Sequence, residues 1–182
     1  DKKGKTLQSF LEDFNTKRFG SEFDTRLRAA MSMYKGLGQI RTRASGFTIP
    51  RGDAIGYYIK MNAEFLSVIT YLAKSSSLGE LSNMATAYVN FLNSKERAGI
   101  ERAVMTSVFT LDRFPAGLYD RFQSLITIQN TYMDVFKTLA TTEQLAFLNS
   151  TLQGEAVDAT EQMRAIAIER AQTGEFGVDP TF

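Results

Sequence analysis

From Leu81 to Leu111 the sequence reads LSNMATAYVNFLNSKERAGIERAVMTSVFTL, apolar and helical almost throughout and free of proline. Ser77-Leu78-Gly79-Glu80 has capping-box spacing ahead of it, so a single helix of about 33 residues, or about 50 Å, is predicted. A helix that long, against a usual length of about 11 or 12 residues, has to be packed along most of its length by other helices.

The flanking sequence supplies those helices. Phe23, Leu27, Ala30, Tyr34 and Leu37 recur at spacings of four and three, the seam of a packed helix expected from about Thr6 to Tyr34. Gly20 is a possible interruption, and Gly36-Leu37-Gly38 is the predicted end, with residues 39–49 read as a turn-rich segment. Pro50 suits the first turn of a second helix, extending to about Ala73, with the seam Ile55, Tyr58, Asn62, Phe65, Ile69 and Leu72. Phe114-Pro115 opens another, with the seam Leu118, Phe122, Leu125, Gln129, Tyr132, Phe136 and Leu139. Thr141-Thr142-Glu143-Gln144 caps a shorter helix. A last one carries Val157, Glu161, Arg164 and Ile168 on one face and is broken by GEFGVDP. Long helices joined by short turns predict an all-α, elongated, antiparallel up-and-down bundle, expected to be one domain over residues 1–182.

Composition narrows the function. Lys and Arg number 21 against 20 Asp and Glu, a balance that argues against nucleic-acid binding. Cys and His are both absent, which removes thiolate and imidazole metal sites, Cys and His nucleophiles, and the usual pH switch near neutrality. No catalytic set, metal site or cofactor motif can be assembled, so an enzyme is not expected. No run of transmembrane length and no signal-peptide pattern occurs. Arg51-Gly52-Asp53 matches a cell-adhesion tripeptide but sits at a helix start, and Gly36-Leu37-Gly38 lacks the third glycine of a dinucleotide loop.

The informative residues are cations in apolar surroundings. The long helix has an apparent seam of Met84, Tyr88, Phe91, Lys95, Ala98, Arg102, Met105 and Phe109, with a second apolar stripe of Ala85, Ile100, Ala103, Val104 and Leu111. Arg102 is therefore expected to be buried, and a buried guanidinium without an anion costs several kcal/mol. Two readings stand. In one, a carboxylate pairs with it, Glu64 for Arg102 and Glu161 for Arg164. In the other, a small anion is clamped by arginines, Arg102 among them, and by the seam amides Asn62 and Gln129, with Lys95 a further candidate on the same seam.

KERAGIERAVMTSVF (95–109), with AIGYYIKMNAEFLSVITYLA (54–73), FPAGLYDRFQSLITIQNTYMDVF (114–136) and MRAIAIERAQTGEFGVDP (163–180), resembles the nitrate- and nitrite-sensing domains of bacterial sensors. The resemblance implies two stacked four-helix bundles that bind nitrate or nitrite through arginines and drive a signalling output. It places Arg97 and Arg102 in the family's signature block and Arg164 at a late-helix arginine, and matches Arg41 to a frequent arginine. It also implies a periplasmic domain of a homodimeric chemotaxis receptor, held to the inner membrane by segments outside this chain. The family's leading Glu-Arg-Gly block and its tryptophan-containing last helix are not present in the sequence, so trimming at both membrane-proximal ends is expected. The alternatives are a helical sensor for another small anion or organic acid, or a purely structural or protein-interaction bundle.

Overall fold

A computed structural model describes residues 2–75 and 79–179, with Glu80 described by its backbone alone. The chain is all-α, with no strand among the described residues. It divides into two compact units, residues 1–75 and 76–182. Among the described residues, no helix is long and apolar enough to cross a membrane.

The first unit holds α1 (Lys2–Asp13), a 3-10 turn (Thr16–Phe19), α2 (Ser21–Ser45) and α3 (Arg51–Ser75). The single helix expected from Thr6 to Tyr34 is thus two helices that fold back on each other. Aromatic packing makes the reversal: the Phe14 ring stacks on Phe19 at 5.4 Å and meets Phe23 edge-on at 6.3 Å. Gly20 adopts φ +93, a left-handed conformation that costs other residues more. The Thr16 hydroxyl donates to Asp24 Oδ1 (2.5 Å), and Arg28 Nε donates to Oδ2 (2.7 Å). These bonds, Arg28 first and Thr16 next, hold the Asp24 carboxyl below the usual carboxylate range.

The seam read from the sequence is the observed core of this unit: Phe23, Leu27, Ala30 and Leu37 are buried, with Tyr34 half-buried. The helix does not end at Gly36-Leu37-Gly38, however. It runs to Ser45 and stops at Gly46. Gly36 serves close packing instead, since a Cβ there would come within 2.6 Å of the Tyr57 hydroxyl, which donates to the Met33 carbonyl. On α3 the buried side chains are Met61, Val68 and Ala73, while Leu72 of the expected seam is exposed.

The second unit holds α4 (Gly79–Leu111), α5 (Leu118–Leu139), α6 (Thr142–Thr151) and α7 (Glu155–Glu169). The 33-residue α4 has the predicted length; the capping box predicted to open it lies largely outside the described residues. Thr141 caps α6 as predicted, its backbone N–H donating to Gln144 Oε1 (2.9 Å) and its hydroxyl accepting from Gln144 N (3.3 Å). Leu148 on α6 packs with Ala87 and Phe136, and α7 continues in the same sense past the middle of α4. The GEFGVDP segment ends the helix and docks back. Glu175 N donates to the Asp112 carbonyl (3.0 Å), Phe176 N to Asp112 Oδ1 (2.8 Å), and the buried Phe176 ring meets Phe109 and Phe114 edge-on. Together α6 and α7 form a third leg, parallel to α4 and antiparallel to α5.

Met105 and Phe109 of the expected α4 seam are buried, as are Ile100 and Val104 of the second stripe, but over the first part of the helix the register differs from the expected one by a single residue. Its most buried line is Ala87 (0%), Ser94 (2%), Glu101 (4%) and Val108 (0%), at seven-residue intervals, while Tyr88 of the expected seam is 52% exposed. One residue is about 100° of rotation, enough to turn Lys95 and Arg102 outward. The small side chains of Ala87 and Ser94 let α5 approach closely, and the Ser94 hydroxyl donates to the Gln129 carbonyl of α5 (3.0 Å). Ala87→Leu should therefore overpack the seam and lower stability by about 1–3 kcal/mol. Tyr88→Ala should cost about 0.5 kcal/mol or less. Urea unfolding of the two variants beside the parent chain checks the register.

Candidate functional site

The register brings a carboxylate, rather than a guanidinium, into the middle of the second unit. Among the described residues, Ser94 and Glu101 are the buried polar side chains. Buried ionised carboxylates need partners, and α5 and α7 supply them. Arg164 Nε donates to Glu101 Oε1 and its Nη2 to Oε2, both at 2.5 Å, a two-point fork. Gln129 Nε2 donates to Oε2 as well (3.0 Å), and Gln129 Oε1 accepts from Arg164 Nη2 (3.2 Å). The amide therefore uses its donor on the acid and its acceptor on the base, and the two ends of one side chain close a three-residue ring. The Glu101 hydrogen bonds come first among the causes that raise the Arg164 pKa above its ordinary value, against the opposing effect of partial burial.

Arg97 lies one turn before Glu101 on the same face of α4. It is half-buried, and its Nε is buried with no hydrogen-bond partner. That is an uncommon condition for a guanidinium N–H, because an unmet buried donor costs about 1–3 kcal/mol. The inward face of the α4–α5–α7 bundle thus holds two arginines and one acid. The Arg164 Nε and Nη2 groups carry its bonds to Glu101 and Gln129, and Nη1 takes part in none of them.

Measured against the residues named from sequence, the structure brings Arg164 and Gln129 into direct contact and sets Arg97 on their side of α4. Lys95 and Arg102, seven residues apart, share an exposed line instead. Arg102 therefore needs no buried anion, and the expected role of Glu64 as its compensating carboxylate loses its premise. Arg164 takes Glu101 rather than Glu161; the exposed Glu161 adds only the weakest of the attractions acting on it. Arg41 and Asn62 belong to the first unit, Arg41 exposed on α2 and Asn62 half-buried on α3. Sequence reasoning missed Glu101 and Ser94. The signal that finds them is the strict seven-residue line from Ala87 to Val108, inconspicuous because it lacks large apolar side chains.

The family profile described as nitrate and nitrite sensing matches residues 1–181. The chain belongs to the nitrate- and nitrite-sensing family. A nitrate regulatory protein of Klebsiella oxytoca is 26% identical to it over 152 residues, which cover 84% of this chain and 38% of that protein. The chain thus spans well under half the length of this curated relative. No solved structure gives a significant match. In this member of the nitrate- and nitrite-sensing family, the KERAGIERA block divides by direction. Arg97 and Glu101 face inward, and Lys95 and Arg102 face outward.

The division has a direct energetic consequence. Arg164→Ala leaves Glu101 buried without its cation and should destabilise the chain by about 3–5 kcal/mol. Arg102→Ala removes an exposed charge and should change stability by about 0.5 kcal/mol or less. Urea unfolding midpoints, read at unchanged denaturant slope, separate the two.

Proposed function

We infer that the chain is the ligand-binding part of a receptor that takes up nitrate or nitrite at the inward face of α4 and α7, with Arg97 and Arg164 as its main ligands. The observation that carries the assignment of residues is the buried, unpartnered Nε of Arg97, one helical turn before the Glu101 that fixes the orientation of Arg164. The family match supports the choice of ligand. Nitrate is planar, singly charged and weakly hydrated, and a guanidinium presents two parallel N–H donors to two of its oxygens, which an ammonium does not. Gln129 holds the fork of Arg164 in place. Lys95 and Arg102, on the exposed line, are given no direct contact with the anion in this reading. Arg41, named by the resemblance, and Asn62, named by its seam position, belong to the first unit and are tested separately from this set.

Arg97 sits on α4 and Arg164 on α7, so an anion held by both favours one arrangement of these helices over another, by the difference in its affinity for the two. In the reading we adopt, that shift is the signal. It passes to a chemotaxis output through segments outside this chain, from a periplasmic domain working as a homodimer attached to the inner membrane. A second reading has one observation in its favour. Both carboxylate oxygens of Glu101 are met within the protein by Arg164 and Gln129, as in a purely structural ion pair.

Arg97→Ala distinguishes the two. As a ligand, Arg97 contributes charge-assisted bonds worth about 1.5–3 kcal/mol, so the variant should bind nitrate about 10- to 100-fold more weakly. Its stability should hold or rise, because an unmet buried donor has been removed. Calorimetric titration with nitrate, nitrite and chloride beside urea unfolding reads both quantities. Unchanged nitrate affinity in Arg97→Ala contradicts the assignment.

A further inference from the structure

We propose that Glu101 sets the valence of the anion this domain accepts, by holding the inward face at a single net positive charge. The inference rests on the binding reading given above and adds a specificity-determining residue to it. Two guanidinium groups and one carboxylate lie on this face: Arg97 and Glu101 on α4, and Arg164 on α7. Their charges leave one positive unit. The other charged groups nearby are placed to add little. Lys95, Arg102 and Glu161 are exposed, where salt screens them, and the half-buried Glu96 leaves α4 about 100° round the helix from Arg97 and has an interaction of its own.

The carboxylate is not needed merely to fill the space. A hydrophobic residue or a glutamine of similar volume would pack between Ser94 and Val108 without the desolvation cost of an ionised acid. What the acid contributes is orientation and charge. It turns the Nε and Nη2 edge of Arg164 onto itself, which leaves the Nη1 group outside those bonds. It also cancels one of the two cations in a setting where charges are weakly screened. A monovalent anion brings such a face to neutrality. A divalent one leaves an uncompensated negative charge beside Glu101, and the acid repels it.

Glu101→Gln keeps the shape and removes the negative charge, taking the face to two positive units. Gln129→Lys reaches the same total by the opposite route: it keeps Glu101, still offers a donor to Oε2, and adds a cation. Nitrate and sulfate affinities of the parent chain, both variants and Arg97→Ala are measured by calorimetry at matched ionic strength, with helix content followed by circular dichroism. The parent chain is expected to prefer nitrate. Both variants are expected to move the nitrate-to-sulfate affinity ratio toward sulfate by at least about tenfold. If Glu101→Gln fails to fold, Gln129→Lys alone decides. An unchanged ratio in the folded variants, with nitrate binding still lost in Arg97→Ala, overturns the role of Glu101 and leaves the binding reading standing. Nitrate binding that is absent from the parent chain, or indifferent to Arg97→Ala, overturns the binding reading itself and this inference with it.

Discussion

The second unit is organised around one buried carboxylate. Glu101, at 4% exposure, has been taken out of water in the middle of a 33-residue helix, and it is tolerable there only because both its oxygens are met. Arg164 meets them from α7 and Gln129 from α5, so a single side chain fixes the third leg and the second leg against the first. A one-turn slip of α7 along α4 would strand the acid. The contacts at either end agree with this register: Leu148 packs with Ala87 at one end, and Glu175 and Phe176 bond to Asp112 at the other. A polar ring at mid-helix thus specifies the alignment of legs whose apolar contacts alone would allow sliding.

How much of this was legible in the sequence depended on side-chain size. The α2 seam was read correctly because Phe23, Leu27 and Leu37 are large, apolar and regularly spaced, so burial and pattern coincide. On α4 they part company. The buried line is Ala, Ser, Glu and Val, whereas the neighbouring line of Met84, Tyr88 and Phe109 looks more like a core, yet its first two members are exposed. Small residues are buried there because α5 comes close, a fact of tertiary packing that periodicity does not carry. The reversal at residues 14–20 was hidden for a related reason. Phe10, Phe14, Phe19 and Phe23 continue an apolar pattern through the turn, and the contacts of Phe14 with Phe23 and of Gly4 with Tyr34 show that the chain doubles back. Glycine misled in the opposite direction: Gly36 and Gly38 look like a stop, but α2 passes through them, and Gly36 admits Tyr57.

The candidate site was legible in its cations and not in its acid. Arg97, Arg164 and Gln129 were named from spacing and resemblance, and all three lie on one side of the bundle. A buried charge does require an opposite partner, but in α4 the buried charge is Glu101 and Arg102 is exposed. Five residues separate Arg97 from Arg102, a rotation of about 140° on the helix, so the two arginines of one signature block face different surroundings. The inward one has a buried Nε without a partner, and the outward one is exposed.

That difference makes the account directly testable by nuclear magnetic resonance of the arginine side chains during a nitrate titration of the folded chain. The account predicts that the Nε–H resonance of Arg97 shifts saturably as nitrate is added, while that of Arg102 moves only as much as added chloride moves it. A saturable shift at Arg102 with Arg97 unmoved would contradict it.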